Sequence, residues 1–136
     1  MGSVYAEITL KNAFDVRRER EGLIKDTEVR SLVVNALVDT GAGTLVINEA
    51  ISEKLGLESR ELHESTLADG SKHIYTRMEP VSINWKNRES TLMPTMIPGA
   101  DLVLLGAIAL EDMDLIVDPK EEKLKGRHGE KMLIRV

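Results

Sequence analysis

The sequence predicts an all-β domain carrying one or two short helices. Three observations point there. Several short runs alternate apolar and polar residues at a strand's period of two. Asp, Asn and Gly punctuate those runs at turn-like positions. Only two stretches carry a helical pattern, and both are short. Length adds a bound: 136 residues suit one domain, spanning 1–136, rather than two.

The elements follow in order. Val4 to Leu10 alternates and reads as the first strand rather than as a leader peptide. Asp15 to Glu21 is dense in charge and reads as a solvated hairpin loop. Val29 to Val38 is rich in β-branched residues and ends abruptly at Asp39-Thr40-Gly41, where Gly41 and Gly43 mark a sharp turn. Asn48 is placed to cap a helix running to Leu55, with Ile51 and Leu55 on one face and Gly56 as the stop. Asp69-Gly70, between Thr66-Leu67-Ala68 and Ser71 to Met78, is a tight-hairpin signal. Val81 to Trp85 and Ser90 to Ile97 form another strand pair, broken at Lys86-Asn87-Arg88, and Pro94 puts the latter strand at an edge or a bulge. Leu102 to Gly106 reads as a buried strand feeding a short helix, Ala107 to Asp112. Leu115 to Val117 and Met132 to Val136 read as strands, with Lys120 to Glu130 as a charged hairpin region. The order strand, Gly, helix occurs after Val38 and again after Leu105, a faint internal echo.

Composition removes several function classes. Hydrophobic residues make up 42% and charged residues 30%, the balance of a globular chain. Aromatics are only 3%, so the core is aliphatic and no base-stacking platform is available. A net charge of −5 leaves no basic footprint for nucleic acid or an anionic membrane. The longest apolar run, Leu102 to Leu110 with Gly106 inside it, is about half the roughly twenty residues of a membrane span. Zero Cys excludes disulfides, thiolate metal sites and Cys nucleophiles, and fits a cytoplasmic location.

The sharpest chemical feature is Leu37-Val38-Asp39-Thr40-Gly41-Ala42. Asp39 follows an apolar strand, Thr40 offers a hydroxyl able to lock a turn or a partner chain, and Gly41 allows close backbone approach. Taken alone, Asp39 reads equally as a turn former after a strand. The surroundings resemble the retropepsin-like aspartic proteases, that is, the retroviral proteases and their small prokaryotic relatives. The run Val33 to Ile47 matches the family's apolar strand, Asp-Thr-Gly-Ala and following apolar stretch. Val103-Leu104-Leu105-Gly106 with Ala107 to Leu110 matches its second Gly-ended strand and short helix. Leu110 to Pro119 is similar to the prokaryotic branch, and the likeness spans about Val4 to Leu124.

The resemblance implies a closed β-barrel or sandwich half with a flap hairpin. It implies a homodimeric aspartic endopeptidase acting on a peptide or protein substrate without cofactor or metal. Asp39 would be catalytic, with Thr40 bridging the twofold axis and Gly41 close to the carboxylates. Ala68, Asp69, Gly70 and Ser71 would form the substrate-binding flap tip. Two departures stand out. Gly43 and Ala107 occupy positions that carry Asp and Arg in retroviral members, so the ion pair that helps tie the retroviral dimer is missing. The rival reading is therefore a retropepsin-fold dimerisation or peptide-binding module without turnover.

Other candidates are weaker. His63, His73 and His128 lack metal-ligand spacing and read as exposed or locally bonded residues. Asp112, Asp114 and Asp118 lack the Gly-centred loop of a calcium site and read as a solvated turn. Met93, Met96 and Met113 read as gap-filling apolar residues.

Overall fold

Strand pairing organises the chain. A computed structural model describes residues 2–66 and 68–132, apart from the Ser65 side chain. Strand β1 (Tyr5–Asn12) buries Ala6, Ile8, Leu10 and Asn12 at alternate positions, because successive side chains face opposite sides of a sheet. It pairs antiparallel with β2 (Ser31–Val38), placing Ile8 opposite Val34 and Tyr5 opposite Leu37. On its other side it takes β6 (Val81–Trp85), which pairs with β7 (Arg88–Leu92) through a two-residue turn at Lys86-Asn87. With β3 (Val46–Ile47), β4 (Ser59–Thr66), β5 (Lys72–Met78), β8 (Thr95–Met96) and β9 (Leu104–Leu105), the described residues form a nine-stranded sheet. Its order is β4-β5-β8-β3-β9-β2-β1-β6-β7, and it curls into a half-barrel. A separate pair, β10 (Leu115–Asp118) and β11 (Lys123–Gly126), follows.

The concave side holds an aliphatic core. Ile8, Leu10, Leu45, Ile47, Leu55, Ile83, Leu105, Met113 and Leu115 are all buried. Each such side chain contributes about 1.5–3 kcal/mol relative to exposure. Arg88 is buried among them and is satisfied by backbone: it donates to the carbonyls of Met113, Asp114 and Gly129 at 2.9, 2.7 and 2.6 Å. Within the expected break at Lys86-Asn87-Arg88, it is this residue that staples β7 to the C-terminal region.

The all-β class holds, with three short α-helices among the described residues rather than one or two. Helix α2 (Glu49–Lys54) starts where expected, the Asn48 side chain accepting the Ile51 N–H at 3.0 Å. Gly56, at φ +63°, supplies the left-handed residue that ends it. Helix α3 (Ala107–Asp112) has the expected bounds. The addition is α1 (Ala13–Arg20), which replaces the solvated loop expected over Asp15 to Glu21. That segment has no apolar face at helical spacing. Its order comes from a cap and a distant partner: Asn12 Oδ1 accepts the N–H groups of Phe14 and Asp15, and Asp15 turns inward to Arg30. Arg17, Arg18 and Arg20 in the last turn complement the helix dipole.

Smaller corrections share one cause, which is that pairing partners set strand length. The expected strand Leu102 to Gly106 contributes only Leu104–Leu105 to the sheet, and Leu102 is exposed. Ser90 to Ile97 splits into β7 and β8, with Pro94 in the break and its carbonyl taking the Met78 N–H. The charged region Lys120 to Glu130 contains β11, drawn into register by β10. The strand expected over Met132 to Val136 lies, beyond Met132, outside the described residues, as does Leu67.

Candidate active site

Two parallel strands build the site's floor. β2 and β9 run side by side, Leu37 opposite Leu104 and Val38 opposite Leu105, so the two strand-Gly segments that echo each other in sequence are neighbours. The Asp39 N–H extends this ladder to the Leu105 carbonyl at 3.0 Å. The chain then turns. Asp39 Oδ1 accepts the Gly41 N–H at 2.9 Å, and the Asp39 carbonyl accepts the Ala42 N–H at 3.1 Å. Asp39 is half-buried, while Thr40 and Gly41 are exposed.

Backbone contacts hold this loop in place. The Ala107 N–H donates to the Ala42 carbonyl at 2.8 Å, and the Ile108 N–H to the Gly43 carbonyl at 3.1 Å. The first N–H groups of a helix lack partners within it, and α3 spends two of them on the Asp39 loop. Gly106 makes this approach possible. A Cβ there would collide with the carbonyls of Ala42 and Thr44. Thr44 Oγ1 reaches the Met93 carbonyl at 3.4 Å. Gly43 and Ala107, the two departures from the retroviral pattern, therefore lie where main-chain hydrogen bonds fasten the loop.

The candidate flap is the β4–β5 hairpin, whose outer edge is unpaired in the sheet order. It connects to the Asp39 loop through β8 and β3: Thr76 pairs with Met96, and Val46 pairs with Thr95 and with Leu104. Ala68, Asp69 and Gly70 at its tip are exposed and Ser71 is half-exposed. The last paired residues are Thr66 and Lys72, so the pairing stops short of the two-residue turn that Asp-Gly signals. Asp69 makes the difference. Its Oδ1 accepts the Ser71 N–H at 2.9 Å and the Ser71 hydroxyl at 2.6 Å, a local turn made by the side chain itself. The Ser71 hydroxyl, and then its backbone N–H, holds the Asp69 carboxyl below its usual range. Gly70 takes φ +86°.

The remaining candidates are engaged elsewhere. His63 stacks on Tyr75 with centroids 5.7 Å apart and lies 3.2 Å from Glu61. His73 approaches Ser71 Oγ at 3.4 Å, and His128 pairs with buried Asp114 at 2.8 Å. Asp118 accepts the N–H groups of Lys120 and Glu121. Among the described residues, no group of three or more His, Cys, Asp or Glu could hold a metal ion. Met113 is fully buried and Met93 and Met96 are half-buried. No described helix is long and apolar enough to cross a membrane.

Comparison with known proteins bears on this arrangement. Residues 26–112 match the family described as gag-polyprotein putative aspartyl protease. The match takes in more than half of the chain, and the chain belongs to that family. No curated protein sequence matches it. Among solved structures, the retroviral protease-like domain of Ddi1 from Leishmania major superposes with a TM-score of 0.58 at 16% identity, covering 92% of this chain and 88% of that one. A retropepsin-like aspartic protease from Rickettsia conorii aligns with a TM-score of 0.48 at 18% identity, covering 86% and 77%. The EIAV protease in complex with the inhibitor HBY-793 gives 0.48 at 20% identity, covering 82% and 88%. The superposition on the Ddi1 domain shows that the two chains share a fold.

Proposed function

We propose that this chain is an aspartic endopeptidase that works as a homodimer. The observation that carries the reading is the Asp39-Thr40-Gly41 loop. Its backbone is fastened by β9 and α3, while Thr40, Gly41 and one face of the half-buried Asp39 remain open. One chain supplies one such loop, so two copies supply the pair of carboxylates. Two carboxylates a few Å apart share one proton. The ionised copy of Asp39 takes a proton from a water between them, and that water's oxygen attacks the scissile carbonyl carbon. The protonated copy donates to the carbonyl oxygen. Collapse of the tetrahedral intermediate breaks the C–N bond: the copy that took the water's proton gives it to the leaving amine, and the other copy recovers its proton from the diol hydroxyl as the new carboxyl forms. The pair titrates as one unit. Thr40 bridges the copies, and the flap tip, Ala68 to Ser71, closes over an extended peptide by strand addition.

An inhibitor comparison tests this. A peptide mimic carrying a hydroxyl in place of the scissile amide replaces the attacking water. It binds at least about 10²-fold more tightly than the matched peptide if the dyad assembles. Equal binding of the two supports the rival, a retropepsin-fold dimerisation or peptide-binding module without turnover.

A further inference from the structure

Both roots of the β4–β5 hairpin are held by one polar cluster that lies outside the site described above. Asn12 is only 2% exposed, and its Nδ2 donates to the Leu55 carbonyl at 2.8 Å, at the end of α2, from which Gly56 to Glu58 lead into β4. The neighbouring Ala13 N–H donates to the Pro80 carbonyl at 3.1 Å, just after β5. The Asn12 N–H binds the Arg30 carbonyl at 3.0 Å. Arg30 grips Asp15 three times: Nε to Oδ2 at 2.8 Å, Nη2 to Oδ1 at 2.9 Å, and its backbone N–H to Oδ2 at 3.0 Å. The same guanidinium lies against Gly56, where a Cβ would collide with it. Its charge also faces Glu79. Glu79 ties the two roots together: its Oε1 accepts the Glu58 N–H and its N–H donates to the Glu58 carbonyl, both at 2.9 Å. Just above these roots the register slips between Ser59 and Glu61, an irregularity of the kind at which strands bend.

We propose that Asn12, Asp15 and Arg30 form a latch that fixes the roots of the flap, with Asp15 and Arg30 as positioning residues for its closure over a peptide. This rests on reading β4–β5 as the flap of a peptidase. A hairpin that bends at a bulge moves its tip usefully only when its roots stay still. A forked guanidinium–carboxylate pair fixes direction as well as distance, and Gly56 lets the fork close against the chain entering β4. The charged segment after β1 thereby acquires a role at a distance from Asp39.

The test is amide hydrogen exchange on the full chain, in wild type, Arg30→Lys and Asp15→Asn. Arg30→Lys keeps the charge but loses the fork, and it decides the question should Asp15→Asn fail to fold. Arg18→Ala is the control, because Arg18 contacts Asp15 at 3.2 Å, whereas it is the Arg30 guanidinium that lies against Gly56. Protection over 61–66 and 72–77 falls about tenfold, the equivalent of one charge-assisted hydrogen bond. Amides of β1 and β6 change by less than about twofold, and Arg18→Ala changes neither set. In peptide cleavage, KM rises while kcat is kept. Equal loss of protection in the flap, β1 and β6, or an unchanged flap, overturns the latch. A wild-type chain that cleaves no peptide defeats the peptidase reading, while the exchange result still decides the latch.

Discussion

Asp15 and Asp39 both follow the end of a strand, and the fold treats them in opposite ways. Asp15 is 3% exposed and surrounded by donors, three from Arg30 and one from Arg18. The Arg30 side-chain hydrogen bond holds its carboxyl below the usual range. Asp39 is half-buried and, among the described residues, accepts one side-chain hydrogen bond, from the Gly41 N–H. The first carboxylate is committed to architecture. The second is held by its backbone while its side chain stays available. A carboxylate that must exchange protons cannot also be saturated by guanidinium, because that pairing locks the charged form.

Losing the open carboxylate costs the most. Asp39→Asn preserves shape but removes the titrating group, so cleavage falls by about 10²–10⁴-fold or more, with the circular dichroism spectrum and melting temperature of the wild type. A variant that keeps wild-type turnover shows that another group supplies the base.

Next comes the support under Asp39. Gly106→Ala drives a methyl group into the Ala42 and Thr44 carbonyls, and those atoms belong to backbone that cannot step aside. Overpacking of this kind costs about 1–3 kcal/mol, read as a lower urea midpoint, with activity lost as the loop shifts. An unchanged midpoint would mean that α3 does not clamp the loop.

The closed carboxylate gives a smaller effect with a pH signature. The Asp15 folded-state pKa lies below the ordinary 3.8. Its contribution to stability is therefore full above pH 3.8 and is lost as pH falls through the lowered folded value. Asp15→Asn costs about 1–3 kcal/mol near pH 6. The gap between variant and wild type narrows in acid, as urea melts taken down the pH scale will show. A gap independent of pH would contradict the ion-pair account.

The two aspartates also mark what the sequence could reveal. The turn at Asp39 is legible because its pattern is local: an apolar strand, a carboxylate, a hydroxyl and a glycine in consecutive positions. The second anchor, Leu104-Leu105-Gly106, was legible for the same reason, and the structure sets it directly beside the first. α2 and α3 were readable from a cap and a short apolar pattern. Asp15 was not, since its partner Arg30 lies fifteen residues away and charge density alone looks like a solvated loop. The one available clue was Asn12 three residues ahead of Asp15, a capping spacing that outranks the missing apolar stripe. The β4–β5 pairing stops at Thr66 and Lys72, short of the tight turn that Asp69-Gly70 signals, and there Asp69 accepts two hydrogen bonds from Ser71. The length of β9 depends on its neighbours in the sheet, which no local pattern encodes.

The proposed homodimer needs two copies of Asp39 for one active site. Peptide cleavage and mass by light scattering, measured together across a dilution series with Thr40→Ala beside the wild type, decide whether it does. Specific activity rises with concentration in step with the dimer fraction. For Thr40→Ala, losing the bridging hydroxyl shifts that rise to higher concentration by about 1 kcal/mol or more per lost hydrogen bond. A strictly monomeric protein cleaving at full specific activity would contradict the account.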